Sequence, residues 1–163
     1  MIGNDVVDLR LARVESNWKR RGYLEKLFTQ TERLAIATTA DAEVCLWILW
    51  SMKEAAYKIY NRETGIRAYI PFKLECSLHS LSKSHASGTV VCGEHSCSTL
   101  TSIDNDIIHT VAVGTSEFDR KVQYINETIS KDELGRPFIY HAGSMLPVSK
   151  SHHGRSTIAV GLL

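Results

Sequence analysis

The chain of 163 residues lacks both a strong net charge and a long apolar run. Its formal net charge is +1, so no global field attracts nucleic acid or an anionic membrane, and any anion site must be a local cluster. The most apolar run, 44–50, is much shorter than the roughly eighteen residues of a membrane helix. Asp5 stands where a secretory signal would carry basic and then apolar residues. We therefore expect a cytoplasmic protein that binds neither membranes nor nucleic acid.

The paired Cys-x-x-Cys spacing of many zinc sites is also missing. The four cysteines are at positions 45, 76, 92 and 97, and in a reducing compartment we expect free thiols. A zinc-binding interaction module stays open as a distant alternative. Its ligands would come from Cys76, His79, Cys92, His95 and Cys97.

The length of the chain suits a single domain, residues 1–163, with a sizeable core. The clearest element is a predicted helix over 41–62, which contains no glycine or proline. Its first half, 44–50, is apolar all round, so we expect that half to be buried. From Pro71 onward, short alternating runs predict strands. The predicted class is α+β, with an antiparallel sheet packed against a long buried helix.

The segments around these elements carry weaker signals. A strand or strand-turn is predicted over 2–11, and a basic amphipathic helix over 14–27. The segment Thr29–Glu32 has capping-box spacing, which predicts the start of another helix. Later strands are predicted over 72–78, 88–92, 97–101, 107–113, 123–129 and 156–163, with a turn at 132–135.

The second half of the long helix carries the first candidate site. Trp47, Trp50, Glu54 and Lys58 fall on about the same helix face. A surface pair between Glu54 and Lys58 would contribute only about 0.2–0.5 kcal/mol to the helix. However, the apolar first half makes full solvation of this face hard to achieve, and buried charges need a partner or a metal. Both interpretations remain open at this point.

A locally basic stretch near the C-terminus is the second candidate. Serine hydroxyls and glycine backbone amides accompany these cations, a combination that suits phosphate groups. The alternative is an ordinary solvated loop. The cluster comprises Arg136, Lys150, His152, His153 and Arg155.

Two carboxylates from distant points of the chain, Asp5 and Glu54, could share a hard cation such as Mg²⁺. This ion prefers a few carboxylates together with water and substrate phosphate oxygens. Lys58, one turn after Glu54, and the basic stretch, which we expect to be a loop, would hold the rest of a polyphosphate. Such a layout is typical of phosphoryl-group transfer, in which positioning and charge neutralisation provide most of the catalysis.

The order of these motifs resembles the 4′-phosphopantetheinyl transferase superfamily, and holo-acyl-carrier-protein synthases in particular. The motif from Trp50 to Lys58, Trp-Ser-x-Lys-Glu-Ala-x-x-Lys, is the most specific. Each of the other motifs is weak alone, but their order along the chain is informative. The resemblance covers roughly 1–75 and 130–163. The other motifs are Gly3-Asn4-Asp5, Phe28-Thr29-Gln30-Thr31-Glu32, Gly135-Arg136-Pro137 and Ser151-His152.

The resemblance implies a reaction and a metal site. A serine of a carrier protein attacks the β-phosphate of coenzyme A, and 3′,5′-ADP leaves. Asp5 and Glu54 would ligate Mg²⁺ together with the coenzyme A diphosphate. Glu32 would lie close to that metal, although a capping-box role is the alternative. Lys58 would contact the phosphates or assist deprotonation of the serine.

The resemblance also implies the binding partners. Lys53 would contribute to coenzyme A binding, and the acceptor would be an acyl or peptidyl carrier protein, such as that of fatty acid biosynthesis. The basic segment 14–27 is a candidate surface for an acidic carrier, with a plain solvated face as its alternative. The ribose 3′-phosphate of coenzyme A would face Arg136, Ser151 and His152.

Two departures from the family pattern affect these expectations. Val7 stands where many larger members carry a second acidic residue, so a two-carboxylate metal site filled out by water is expected. A β-rich insertion around 77–121 distinguishes the chain from the smallest synthases of the family that it resembles. Those small enzymes look trimeric, with active sites between subunits. We expect a homotrimer here. The main alternative function is a catalytically silent protein of the same fold that binds coenzyme A or a partner.

Overall fold

The computed structural model of the chain describes residues 1–114 and 121–162. Four α-helices are described, α1 (Leu9–Glu15), α2 (Tyr23–Leu27), α3 (Gln30–Thr38) and α4 (Ala42–Thr64), with a 3₁₀ turn at Pro71–Lys73. The described strands are β1 (Ile2–Asp8), β2 (Glu75–Leu81), β3 (His85–Cys92), β4 (His95–Asp104), β5 (Ile107–Gly114), β6 (Val122–Tyr124), β7 (Ser130–Lys131), β8 (Pro137–His141), β9 (Ser144–His153) and β10 (Ser156–Leu162).

The strands form two antiparallel five-stranded sheets. The first has the order β1-β5-β4-β3-β2, and the second has the order β6-β10-β9-β8-β7. Strand β9 pairs with β8 through its first part and with β10 through its second. The predicted α+β class with antiparallel sheets and a long helix is confirmed.

Helix α4 supplies more residues to the main core than any other element. The Asp41 side chain caps its start by accepting a hydrogen bond from Val44 N, and Gly65, at φ 73°, ends it in the left-handed conformation. The helix packs chiefly on β1 and β5 of the first sheet. Of its predicted apolar half, 44–50, residues 45–49 are buried, whereas Val44 and Trp50 are partly exposed. None of the helices in the described part of the chain has the length and apolarity needed to span a membrane.

Helix α4 crosses β1 so closely that the two backbones are almost in contact. A Cβ atom on Gly3 would collide with the carbonyl oxygen of Ala55. Only a residue without a side chain allows such a close approach, so glycine at this position has a steric cause. Because Ala55 follows Glu54 directly, this crossing fixes which part of the helix faces the N-terminal strand.

Side chains of β9 cover the outer edge of β1. An edge strand presents unpaired N–H groups, which need partners when they are buried. Here alternate residues of β9 accept hydrogen bonds from alternate backbone amides of β1, so side chains join the two sheets. The bonds run from Asn4 N to Ser149 Oγ (2.9 Å), from Val6 N to Ser151 Oγ (3.2 Å) and from Asp8 N to His153 Nδ1 (2.9 Å).

Lys53 and Glu32 form an ion pair inside the core, with both side chains at most 1% exposed. Lys53 Nζ lies 2.9 Å from Glu32 Oε1 and also donates to two backbone carbonyls, so its three hydrogens all have acceptors. Glu32 completes the predicted capping box of α3. The further partners are the carbonyls of Pro71 and Leu74 for Lys53, and the amides of Thr29 and Cys76 for Glu32.

Three sequence-based expectations about local structure are wrong. The basic segment 14–27 is not one helix, because α1 ends at Glu15 and α2 begins only after Gly22, at φ 79°. The predicted strand over 123–129 ends at Tyr124. The basic stretch that was expected to be a loop is mostly strand β9. Its residues are polar because they bond to the edge of β1, and this polarity had suggested a loop.

The candidate zinc ligands do not form a cluster. Within residues 1–114 and 121–162, no group of three or more His, Cys, Asp or Glu side chains is arranged to hold a metal ion. Burial raises the pKa of the Cys76 thiol, and it raises that of Cys97 to about 12, so both favour the neutral thiol rather than the metal-binding thiolate. The zinc-module alternative therefore has no preformed cluster of ligands among the described residues.

Replacing Lys53 by Met should destabilise the protein by about 3–5 kcal/mol, because Glu32 would remain as an uncompensated charge in the core. Urea unfolding followed by circular dichroism measures this difference. Arg10→Met is the matched control, since Arg10 pairs with Asp106 at the surface, and it should unfold at nearly the wild-type midpoint. A Lys53→Met variant as stable as the wild type would show that the pair is not needed for the fold.

Candidate active site

Asp5 lies on the middle of β1 with its carboxylate largely buried. Its Oδ1 atom accepts a hydrogen bond of 3.0 Å from Ser151 Oγ, and Lys58 Nζ lies 4.0 Å from the same oxygen. Burial raises the pKa of Asp5, although Lys58 and Ser151 oppose the rise. Keeping the Asp5 carboxylate charged therefore costs free energy, and a bound cation would lower that cost.

Glu54 lies near Asp5 because α4 crosses β1 at Gly3. Burial raises the pKa of Glu54, and the neighbouring charge of Asp5 raises it further, while the Tyr69 hydroxyl and Lys58 partly offset both effects. The two carboxylates thus repel one another in a half-buried setting. Such a pair is a common feature of sites that bind a cation.

Lys58 connects this acidic pair to a neighbouring cleft. Its Nζ donates to the carbonyl of Asn4 at 2.6 Å and, more weakly, to that of Lys150 at 3.4 Å. Burial lowers the pKa of Lys58, and the charges of Asp5 and Glu54 oppose that change. These contacts hold the ammonium group of Lys58 between Asp5 and the cleft.

The cleft has a volume of about 710 Å³ and lies between the C-terminal end of α4 and the second sheet. Its walls carry five cationic side chains and no carboxylate, which makes it suitable for an anionic ligand of some length. The cations are Lys58, Arg62, Arg67, Arg136 and Lys150.

The protein itself fixes two of these cations. Arg62 Nη2 donates to the carbonyl of Pro137 at 3.1 Å and to that of Val148 at 3.0 Å, which joins the end of α4 to β8 and β9. Burial lowers the pKa of Arg62, and Arg136 lowers it further. Arg136 is in turn held by Asp132, whose carboxylate accepts from its Nε at 2.7 Å across the predicted turn.

The residues present fit a magnesium ion by their chemistry. Mg²⁺ is usually bound through one or two protein carboxylates, and water and substrate phosphates supply the other oxygens. Asp5 and Glu54 provide two carboxylates whose mutual repulsion such an ion would neutralise. The cleft beside them provides cations for the phosphates of a co-substrate.

Comparison with known proteins identifies the family of the chain. The model of the ACPS family, described as the 4′-phosphopantetheinyl transferase superfamily, matches residues 1–115. The chain belongs to this superfamily. The match includes β1, α4 and the whole first sheet, so most of the β-rich segment that we expected as an insertion lies within it.

A solved structure extends the likeness of this 4′-phosphopantetheinyl transferase superfamily member to the second sheet. The holo-[acyl-carrier-protein] synthase of Thermotoga maritima has a TM-score of 0.51 and 14% sequence identity, over 98% of this chain and 81% of that one. At this identity the likeness concerns the fold. No curated protein sequence matches the chain.

The fold brings together some of the predicted site residues and not others. Asp5 and Glu54 lie close to Lys58, which lines the cleft together with Arg136. Glu32 and Lys53 instead bind one another in the core, so neither is free for the metal or coenzyme role expected of it.

The predicted Ser151-His152 pair is divided by the alternation of β9. Ser151 is buried and contacts Asp5, whereas His152 is exposed on the opposite side of the strand. His152 shares its face with Lys150, which lines the cleft. The predicted contact of His152 with the ribose 3′-phosphate remains a prediction.

Two cations of the cleft were not predicted. Arg62 continues the line of Glu54 and Lys58 by one further helical turn, so the spacing contained the signal. Arg67 follows the end of α4 in a segment without regular structure, where no periodicity marks it. Its position depends on the Tyr57 hydroxyl, which donates to the Arg67 carbonyl at 2.6 Å.

Replacing Glu54 by Gln should stabilise the protein at neutral pH. A folded-state carboxyl pKa above the unfolded value means that the folded chain keeps a proton that the unfolded chain has lost. The wild type should therefore lose stability as the pH rises above about 4, the usual Glu value, and Glu54→Gln should lose less.

Thermal unfolding at pH 4 and pH 8 measures this effect. The advantage of the variant should be large at pH 8 and small at pH 4, and Mg²⁺ should stabilise the wild type more than the variant. The same difference in unfolding midpoint at both pH values would contradict the raised pKa of Glu54, which burial and the charge of Asp5 cause together.

Proposed function

We propose that the protein is a Mg²⁺-dependent phosphopantetheinyl transferase of the holo-acyl-carrier-protein synthase type. It would transfer 4′-phosphopantetheine from coenzyme A to a serine of an apo acyl or peptidyl carrier protein. The observation that carries the proposal is the acidic pair of Asp5 and Glu54 at the end of a basic cleft, connected by Lys58, in a chain of this superfamily.

The cleft supports coenzyme A as the co-substrate. Its volume of about 710 Å³ is in the range of small-molecule sites, roughly 300–1,000 Å³. Arginine and lysine bind phosphates through charge-assisted hydrogen bonds, and five such cations line this cleft. In this proposal the diphosphate lies near Lys58, and the cations further along the cleft, together with exposed His152, hold the ribose 3′-phosphate.

Asp5 and Glu54 would hold the Mg²⁺ ion, with water and the diphosphate of coenzyme A as the other ligands. When bound, the ion supplies charge neutralisation to the phosphates during transfer. The protein would supply only these two carboxylates to the ion, because Val7 stands where many larger family members carry a further acidic residue.

Lys58 would act on the substrate phosphates. The serine oxygen forms a bond to the β-phosphorus of coenzyme A, the bond from that phosphorus to the bridging oxygen breaks, and 3′,5′-ADP leaves with the electron pair. The serine proton passes to solvent or to a nearby base. Lys58, fixed by the carbonyl of Asn4, stabilises the charge that develops on the leaving oxygen.

The carrier protein is the remaining partner. The basic residues around α2, which include Lys19, Arg20 and Arg21, could attract an acidic carrier even though they do not form one helix. The expected homotrimer stays a prediction that light scattering can test.

Intact-mass spectrometry of an apo acyl carrier protein tests the proposal. Incubation with the protein, coenzyme A and Mg²⁺ should add the mass of phosphopantetheine. Glu54→Ala and Asp5→Asn should each lower the rate by about 100-fold or more, because each removes charge stabilisation from the transferring group. The product should also fail to form when a chelator removes the metal.

Absence of the mass gain with both acyl and peptidyl carrier proteins would overturn the proposed transfer. Calorimetry with coenzyme A would then test the silent-binder alternative. Binding in the low-micromolar range without transfer would support that alternative, and the absence of binding would exclude it as well.

Lys150→Ala should raise the KM for coenzyme A by about tenfold, since one hydrogen bond to a charged group contributes about 1.5 kcal/mol or more. The value of kcat should change little, because the side chains of Lys150 and Ser151 lie on opposite faces of β9 and it is Ser151 that contacts Asp5. Lys131→Ala is the control of equal charge, as Lys131 is exposed on β7 and does not line the cleft. Equal KM values for the two variants would argue against this cleft as the coenzyme site.

A further inference from the structure

Ser151 holds the Asp5 carboxylate in one orientation. A serine hydroxyl has one hydrogen and two lone pairs. The Val6 amide can only donate, so Ser151 Oγ accepts from it at 3.2 Å. The single hydroxyl hydrogen is then free to point at Asp5 Oδ1, 3.0 Å away. The direction of the bond to the carboxylate is thus set by the backbone of the same strand.

The contacts of Ser151 and Lys58 with the Asp5 carboxylate converge on one oxygen, while the Ser51 hydroxyl and the Val6 amide also stabilise its charged form. Ser151 donates to Oδ1, and Lys58 Nζ approaches Oδ1 at 4.0 Å. Ser151 is only 6% exposed and Asp5 only 9%, so water competes little with this bond. Strand β10 holds Ser151 in place, because Ile158 of β10 pairs with Ser151 of β9.

We propose that Ser151 is a positioning residue that turns the second carboxylate oxygen of Asp5 towards the metal shared with Glu54. This inference rests on the proposed function for the metal, and it gives Ser151 a role other than the expected contact with the ribose 3′-phosphate. Partners that hydrogen-bond to metal ligands orient those ligands and raise metal affinity.

Ser149 provides the comparison that separates positioning from ordinary packing. It lies two residues earlier on the same face of β9 and accepts from the Asn4 amide at 2.9 Å. It is buried like Ser151. Ser149 makes the same kind of bond to β1 but none of the hydrogen bonds at the Asp5 carboxylate. A purely structural role would therefore affect both serines alike.

Binding of Mn²⁺ to the protein, followed by the electron paramagnetic resonance signal of the free ion, tests the proposal without catalysis. Ser151→Ala should bind Mn²⁺ about tenfold more weakly or worse, while Ser149→Ala should bind it as the wild type does. Asp5→Asn should abolish binding. Equal Mn²⁺ affinity in Ser151→Ala and the wild type would overturn the proposal, as would an equal loss in both serine variants or no binding by the wild type.

Thr and Val at position 151 form a matched pair, because they have the same shape and differ only in the hydroxyl. They keep the test decisive if Ser151→Ala does not fold. Ser151→Thr should bind Mn²⁺ more tightly than Ser151→Val by about tenfold, with similar unfolding midpoints in urea. Equal affinities would overturn the proposal.

The positioning role and the proposed function can fail separately. If the wild type transfers no phosphopantetheine but its Mn²⁺ affinity depends on Ser151, the transferase function is wrong and the positioning role stands. If the wild type transfers phosphopantetheine and the Ser151 variants bind Mn²⁺ normally, the positioning role is wrong and the transferase function stands.

Discussion

The close crossing of α4 over β1 is the constraint on which the site depends. At Gly3 the helix lies so near the strand that no side chain fits between them. This contact brings Glu54 next to Asp5, although the two residues are far apart in the sequence. The repulsion between their buried charges lowers stability, and the packing of the apolar half of α4 compensates for it. The acidic pair is thus maintained by the core and not by its own interactions.

The second sheet contributes to the site through side chains as well as backbone. Alternate residues of β9 accept hydrogen bonds from the amides of β1, and Lys150, which lies between two of them, lines the cleft. One strand therefore closes the edge of the first sheet and presents Lys150 to a ligand. The same alternation explains why Ser151 and His152, which are neighbours in the sequence, have different surroundings.

Much of this arrangement could be predicted from the sequence, for identifiable reasons. The long helix, the capping box at Thr29 and the turn at Asp132 depend on local patterns, and the structure confirms them. The pairing of Lys53 with Glu32 could not be predicted, because it depends on how α3 and α4 pack. Strand β9 was mistaken for a loop because its polar residues serve β1, a contact across about 145 positions.

The central claim is that Asp5 and Glu54 share one metal ion beside the coenzyme A cleft. A crystal structure of the protein with coenzyme A and Mn²⁺, with an anomalous difference map to locate the ion, tests it most directly. We expect an anomalous peak bound by both carboxylates and by the diphosphate of coenzyme A, with the ribose 3′-phosphate among the cations of the cleft. A peak that contacts neither carboxylate, or coenzyme A bound outside this cleft, would contradict it.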